Sequence, residues 1–332
     1  MTRPLYVIAA PDVRPLLEPL LALRRAEGLA VHFLLEQDLP LRDDVRDGYV
    51  LLVGHPRGDG ALRLRTVSHP PPYRHMRTPF HGDHALVHGH VEVSPRFSVG
   101  RLPARTTEEL RTLVAHTSSP ARMAPPVAHL IDGDPKWATA INKACNVLAD
   151  HFSRLPLPGL EVQRTSFNPD CTVGRETLHA RLREGARLVV YVGHGQPTSV
   201  DGVDARNLPC CHDGRDLPLA VLACCHAGRL DNDERGLSEE WLLAPGGPRA
   251  VIAASNVSDP RLNPAFALAI SRDAVRPGAR AGDAFLAGLR AVRDGGAGVV
   301  VGALRALAPA RLRHAHLGLY NLLGDPSLPL GR

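Results

Sequence analysis

The chain has 332 residues, 44% of them hydrophobic and 22% charged, with a net charge of +5. That balance suits a globular protein of one large or two modest domains. The basic residues are arginines scattered along the chain, with lysine only at Lys136 and Lys143, and aromatics make up 4%. Neither the charge clusters nor the stacking rings of a nucleic-acid binder are expected, and no apolar stretch reaches the length of a membrane span.

The first ten residues run directly into fold and lack the apolar length of a secretory signal. Six cysteines stand at 145, 171, 210, 211, 224 and 225, four of them as two adjacent pairs. Adjacent pairs make a poor disulfide framework, so the expectation is a reducing cytoplasm.

The predicted elements alternate in β-α-β order, which implies a parallel sheet with right-handed crossovers. Leu5–Ala10 reads as a strand. Pro11–Glu27 reads as a helix with leucines on one face, closed by Gly28. Leu29–Leu35 and Asp47–Gly54 are strands. Ser68–His90 is rich in proline, glycine and histidine and reads as irregular surface. Phe97–Pro103 is a strand, and a helix capped by Thr106 or Thr107 runs to about Ala115. Ser118–Pro126 reads as a linker, dividing the chain into an α/β subdomain over 1–118 and a second over 119–332. In the second half, Val127–Ile131 is a strand, a helix covers about Trp137–Phe152, Leu160–Arg164 is a strand and Thr177–Glu184 a helix. Ala250–Ser255 is a buried strand, and Pro264–Ala274 and Gly282–Arg293 are helices.

Two further runs carry the chemistry. Leu188–Val192 leads into Gly193-His194-Gly195, and Leu219–Ala223 leads into Cys224-Cys225-His226-Ala227-Gly228. Continuous apolar, β-branched runs read as strands buried on both faces of a parallel sheet. Open α/β sheets place their sites beyond the carboxyl ends of strands. His194 and Cys225 are therefore expected side by side at one sheet edge, and a thiol beside an imidazole is the minimum apparatus of a cysteine hydrolase. The bland alternatives are a loop histidine and a core cysteine; strand alternation permits one cysteine of the pair to be core while the other faces the cleft. Asp132 ends a strand in the same half and reads either as a group that orients His194 or as a turn residue before Gly133.

Cys-Cys-His occurs at 210–212 and 224–226, and His81, His84, His88 and His90 crowd one stretch. Zinc sites use spaced ligands, so a solvated His-rich loop is the default and no metal or other cofactor is expected. A phosphate-binding glycine loop is missing, which disfavours a nucleotide enzyme.

Three stretches, Tyr191-Val-Gly-His-Gly-Gln-Pro-Thr-Ser199, Ala223-Cys-Cys-His-Ala-Gly228 and Tyr320-Asn-Leu-Leu-Gly-Asp-Pro-Ser-Leu328, together resemble the gingipain-type cysteine peptidases, peptidase family C25 of the caspase-like clan CD. Tyr49–Gly54 and Val99–Thr106 resemble that family's first subdomain. The resemblance implies two caspase-like α/β subdomains, each with a mainly parallel sheet flanked by helices, and catalysis in the second. It implies His194 as the catalytic histidine, Cys225 (three residues before Gly228) as the nucleophile, and Asp132 as the acid that assists His194. Oxyanion donors would be the backbone N–H groups of Gly195 and Cys225. It also implies an S1 pocket walled by Trp137, Ala140 and Ile141 on one side and by Asn256, Val257, Ser258, Asp259 and Arg261 on the other. Asp259 favours a basic P1 residue; Arg261 either favours an acidic one or neutralises Asp259.

The reading is a cytoplasmic cysteine endopeptidase acting on a protein or peptide substrate, by limited cleavage of a regulatory partner or effector. Fold-level analogy with caspase-like bacterial systems points to defence or cell death. A non-catalytic caspase-like interaction module and a zinc-dependent hydrolase are the alternatives.

Overall fold

In the computed structural model, residues 3–41, 47–89, 96–119, 124, 126–133, 146, 150, 160–166, 172–201, 203–204, 207–208, 210, 216–295 and 299–331 are described. The helix expected over 137–152 lies outside them except at residues 146 and 150.

The N-terminal half builds strand β1 (Pro4–Ile8), helix α1 (Arg14–Ala26), strands β2 (Ala30–Leu34) and β3 (Gly48–Val53), a hairpin of β4 (Val67–His69) and β5 (Phe80–Gly82), helix α2 (His84–His88), strand β6 (Phe97–Leu102) and helix α3 (Thr107–Ser118). β2, β1, β3 and β6 pair in parallel in that order. α1 turns Leu17, Leu20 and Leu21 onto the sheet and ends where Gly28 takes φ +84°, the left-handed conformation that costs glycine little. α3 starts at Thr106, whose hydroxyl accepts the Glu109 N–H at 3.3 Å.

The second half contributes β7 (Val127–Asp132), β8 (Glu161–Ser166), helix α4 (Thr172–Arg183), β9 (Leu188–Val192), a small hairpin of β10 (Ser199–Val200) and β11 (Val203–Asp204), β12 (Ala220–Ala223), α5 (Leu237–Leu243), β13 (Val251–Ala254), α6 (Asn263–Ala274), α7 (Ala281–Asp294), α8 (Val299–Ala306), α9 (Ala310–Leu319) and β14 (Tyr320–Leu323). Its parallel strands run in the order β13, β12, β9, β7, β8. β14 joins the halves: it pairs antiparallel with β13 and meets β6 through Leu323 and Arg101, giving one ten-stranded sheet. Helices cover both faces. α1, α3 and α5 pack on one, with Leu110, Leu113, Leu237 and Trp241 in the cluster. α6, α7 and α9 pack on the second half's other face around Phe266 and Phe285. Strands buried on both sides explain why β3, β9, β12 and β13 read as apolar runs.

The seam holds a wholly buried arginine. Arg101 on β6 makes two hydrogen bonds to Asp83, at 2.6 and 2.8 Å, and donates to the carbonyls of Gly54, Leu64 and Arg65. The Asp83 N–H in turn donates to Asn321 of β14 at 3.0 Å.

Within the stretch expected to be irregular surface, residues 70–79 are irregular and largely exposed, but 80–88 differ. There His84 and His88 are buried, His84 stacking on His88 and packing against Phe285 at 5.3 Å. The His88 ring accepts the Arg96 backbone N–H at 3.2 Å. Tertiary packing overrides composition here, because α7 and β6 supply an apolar floor for imidazoles in their neutral form.

Burial pushes His84, and His316 on α9, down to about 3 from the usual 6.5. The unfolded chain therefore binds protons that the folded chain refuses between those values, and stability is lost as pH falls through that window. The urea midpoint should be highest above about pH 6.5 and fall steadily toward pH 4. In His84→Leu and His316→Leu the slope should flatten; an unchanged slope in both would refute this account.

Candidate active site

β9 and β12 lie side by side in parallel, with Val192 opposite Ala223. His194 follows two residues after the first and Cys225 two residues after the second, so both stand on the same sheet edge. β7 flanks β9 on the other side, with Asp132 opposite Val192. The strand order thus sets Cys225, His194 and Asp132 in a row.

The His194 loop is fixed through its backbone. The His194 carbonyl lies 2.8 Å from the Tyr191 hydroxyl and accepts the Asp201 N–H at 3.3 Å. The Tyr191 hydroxyl also meets the Asp201 carboxylate, in a turn where Asp201 takes φ +42°. The pairs Gln196 N–Ser199 O and Asp201 N–His194 O bracket Gly195. In that antiparallel pattern the Gly195 N–H points away from the hairpin, and among the described residues neither it nor the Cys225 N–H has an internal acceptor. Gly195 packs directly on the Cys225 carbonyl and the Cys224 side chain: a Cβ there would meet the carbonyl and stand 2.6 Å from Cys224 Sγ.

The two cysteines face different surroundings. Cys224 is 1% exposed, within the cluster that holds Trp241 and Leu222, and burial pushes its thiol well above the ordinary range. Cys225 is only partly buried. Burial raises its thiol too, against an opposing pull from the Ser258 backbone N–H and hydroxyl, the latter 4.0 Å from Sγ. Cys225 opens a tight turn in which its carbonyl accepts the Ala227 N–H at 2.7 Å and His226 takes φ +59°. That left-handed conformation is strained for a residue with a Cβ and persists because His226 N and Gly228 N are tied to Asn256 O and Ala254 O.

Asp132 is buried, its Oδ2 held by Arg164 and 3.4 Å from the Ser166 hydroxyl; its Oδ1 has no hydrogen-bond partner among the described residues. Burial raises its carboxyl despite Arg164. His194 Nε2 is likewise buried without a partner. Strand order brings these groups to one edge, but no hydrogen bond joins Asp132 to His194 or His194 to Cys225 among the described residues.

Of the expected S1 walls, Trp137, Ala140 and Ile141 lie outside the described residues. On the other wall, Asn256 is occupied structurally, donating to the carbonyls of Thr78 and Pro79 and accepting the Val257 N–H. Ser258 contacts the Cys225 sulfur. Asp259 is 4% exposed and accepts from the Arg261 backbone at 2.8 Å, from the Arg261 guanidinium at 2.9 and 2.6 Å, and from the Tyr73 hydroxyl at 3.0 Å. Burial alone would raise its carboxyl; the Arg261 and Tyr73 contacts outweigh that and hold it below its usual range. Asp259 is thus paired with Arg261 and with Tyr73. Tyr73 belongs to the stretch read as irregular, and nothing local marked it.

The sequence model of peptidase family C25 matches residues 2–331. The chain belongs to peptidase family C25. Among solved structures, the Arg-specific cysteine proteinase gingipain R (RgpB) superposes with a TM-score of 0.71 at 17% identity, over 99% of this chain and 78% of that one. The complex of Porphyromonas gingivalis RgpB pro- and mature domains gives 0.71 at 14% identity, covering 98% and 79%. At these identities the likeness speaks for the fold. No curated protein sequence matches the chain. The C25 enzyme is a cysteine endopeptidase with a protein or peptide as its substrate, and among the described residues no helix is long and apolar enough to cross a membrane.

Gly195→Ala tests the close approach of the two loops. The added methyl displaces the Gly195 N–H from the Cys225 peptide, and turnover should fall about 10²–10³-fold, the usual cost of one oxyanion donor. Peptidase assays on the folded variant check this; activity within a few-fold of the parent would show that the loops have room.

Proposed function

We propose that the chain cleaves peptide bonds with Cys225 as nucleophile and His194 as general base, residues 119–332 carrying the chemistry and residues 1–118 supporting it. The observation that carries this reading is the β9–β12 register, with Val192 opposite Ala223. Because burial raises the Cys225 thiol, the free enzyme holds it protonated at neutral pH. His194 takes that proton as the sulfur attacks the peptide carbonyl. The N–H groups of Gly195 and Cys225 receive the developing oxyanion. The imidazolium then protonates the leaving amine, and water releases the acyl group from sulfur. Asp132 turns His194 toward the thiol, with Arg164 steadying the carboxylate.

Limited cleavage of a partner protein inside the cell is the biological setting we propose. The free thiols of Cys210, Cys224 and Cys225 support a reducing compartment. Fold-level analogy alone supports an effector of bacterial defence or cell death as the substrate.

Cys225→Ala should abolish turnover and iodoacetamide labelling at the site, leaving only residual catalysis from the oxyanion donors. Cys224→Ala should keep both and cost about 1 kcal/mol of stability, since a small buried group is removed. Asp132→Asn should lower kcat, but less than His194→Ala. Equal loss of labelling in the two cysteine variants, both folded, would overturn the assignment.

The paired Asp259 and Arg261 support a pocket that takes uncharged P1 side chains. A fluorogenic library varied at P1 should show aliphatic or small residues ahead of Arg, Lys, Asp and Glu. Asp259→Ala should unpair Arg261 and move preference toward acidic P1 residues. Strong Arg or Lys preference in the parent, lost in Asp259→Ala, would reverse the reading.

A further inference from the structure

A buried chain of side chains ends at the Cys225 sulfur. Tyr320 on β14 is wholly buried and donates its hydroxyl proton to Asn263 Oδ1 at 2.9 Å. The Asn263 amide nitrogen, at the start of α6, faces the Ala223 carbonyl at 3.3 Å and Ser258 Oγ at 2.9 Å. A carbonyl can only accept, so the Asn263 atom facing it is the NH₂ group, and this fixes the amide's orientation. Ser258 Oγ is then an acceptor toward Asn263, and its own proton is left to donate. Cys225 Sγ lies 4.0 Å from it, and the Ser258 backbone N–H points at the same sulfur. The Ser258 hydroxyl also lies beside the Tyr320 oxygen. A negative sulfur is the stronger acceptor of the two and draws the proton to itself.

We propose that Ser258, held by Asn263 and Tyr320, is a hydrogen-bond donor to the Cys225 thiolate, so that this buried relay stabilises the charged nucleophile formed when the thiol proton passes to His194. Asn263 and Tyr320 are positioning residues. Asn263 acts by donating to the Ser258 oxygen and so fixing the direction of its hydroxyl, and Tyr320 acts through Asn263, whose Oδ1 it holds. The arrangement answers a specific need. Cys225 is pressed into apolar surroundings that disfavour its ionised form, and a donor made only to the thiolate offsets that burden without tightening the resting thiol.

Among the described residues, the other ionisable groups near the sulfur include Cys224 and His226 beside it, His194 after β9, Tyr73, Tyr320, and the Asp259–Arg261 pair. Burial raises Cys224, Tyr73 and Tyr320 above their usual values and lowers His226, and Asp259 is held ionised against Arg261. His226 is therefore neutral across the range in which the raised thiol ionises, and His194 is separated by substitution.

This inference rests on Cys225 being the nucleophile, but its test reads the thiol directly. The rate of iodoacetamide alkylation, located to Cys225 by peptide mass spectrometry, is followed against pH in the full chain and again with His194→Gln. Ser258→Ala should shift the midpoint upward by about one unit in both backgrounds, the scale of one hydrogen bond to a charged group. Ser258→Thr, which keeps the hydroxyl, should restore the parent profile, and Asn263→Leu should shift it in the same direction as Ser258→Ala. Identical midpoints for the parent, Ser258→Ala and Asn263→Leu, each folded by circular dichroism, would overturn the proposal. If instead Cys225→Ala retained peptidase activity, the nucleophile assignment would fall while the alkylation result stood on its own.

Discussion

The site depends on one pairing, the parallel register of β9 against β12. With Val192 opposite Ala223, each strand needs the same two further residues to deliver its reactive side chain. A one-residue slip would turn Cys225 toward the Trp241 cluster and bring Cys224 to the cleft, because successive strand residues face opposite sides. The register is held by burial. β9 and β12 lie in the middle of the sheet, and both their faces are apolar. The glycine beside His194 then permits the two loops to touch, as the contact of Gly195 with the Cys225 carbonyl and the Cys224 side chain shows.

β14 connects this edge to the N-terminal half. It supplies Tyr320 beneath the nucleophile and Asn321 to the Asp83 loop, and it meets Arg101 at its end. Arg101 and Asp83 form a fully buried ion pair with every remaining guanidinium contact directed at backbone carbonyls. Such pairs contribute little net stability over an apolar core but are costly to break, since a lone buried charge remains. The consequence is positional. The segment from Tyr73 to Asp83 is locked against the loop after β13, where the Thr78 and Pro79 carbonyls accept from Asn256 and the Tyr73 hydroxyl donates to Asp259. The first half thereby shapes the neighbourhood of Cys225, which it does not carry.

The electrostatics follow the same division. Burial raises the Cys225 thiol, and the Ser258 hydroxyl and backbone N–H oppose that rise. The charges that follow in the same loop, Asp259 and Arg261, pair with one another at 2.6 Å.

Periodicity and composition determined the α/β class, the strand order within each βα run, and the two strand ends at which His194 and Cys225 stand. These are local properties: an apolar β-branched run buries itself wherever it lies, and the residue beyond its carboxyl end is exposed to the cleft. The short motifs around His194, Cys225 and Tyr320 carried the family. The partners were beyond sequence reading. Tyr73 meets Asp259 across 186 residues, and its stretch, dense in proline and histidine, gave no sign that it packs inside. For Asp259 and Arg261 the sequence left open whether they act as rival charges or pair with each other, and folding pairs them. Ser258, Asn263 and Tyr320 are unremarkable in the chain and become one relay because β13, α6 and β14 converge under β12. Which polar group satisfies which is decided by distances between segments remote in sequence, and only the assembled sheet sets those distances.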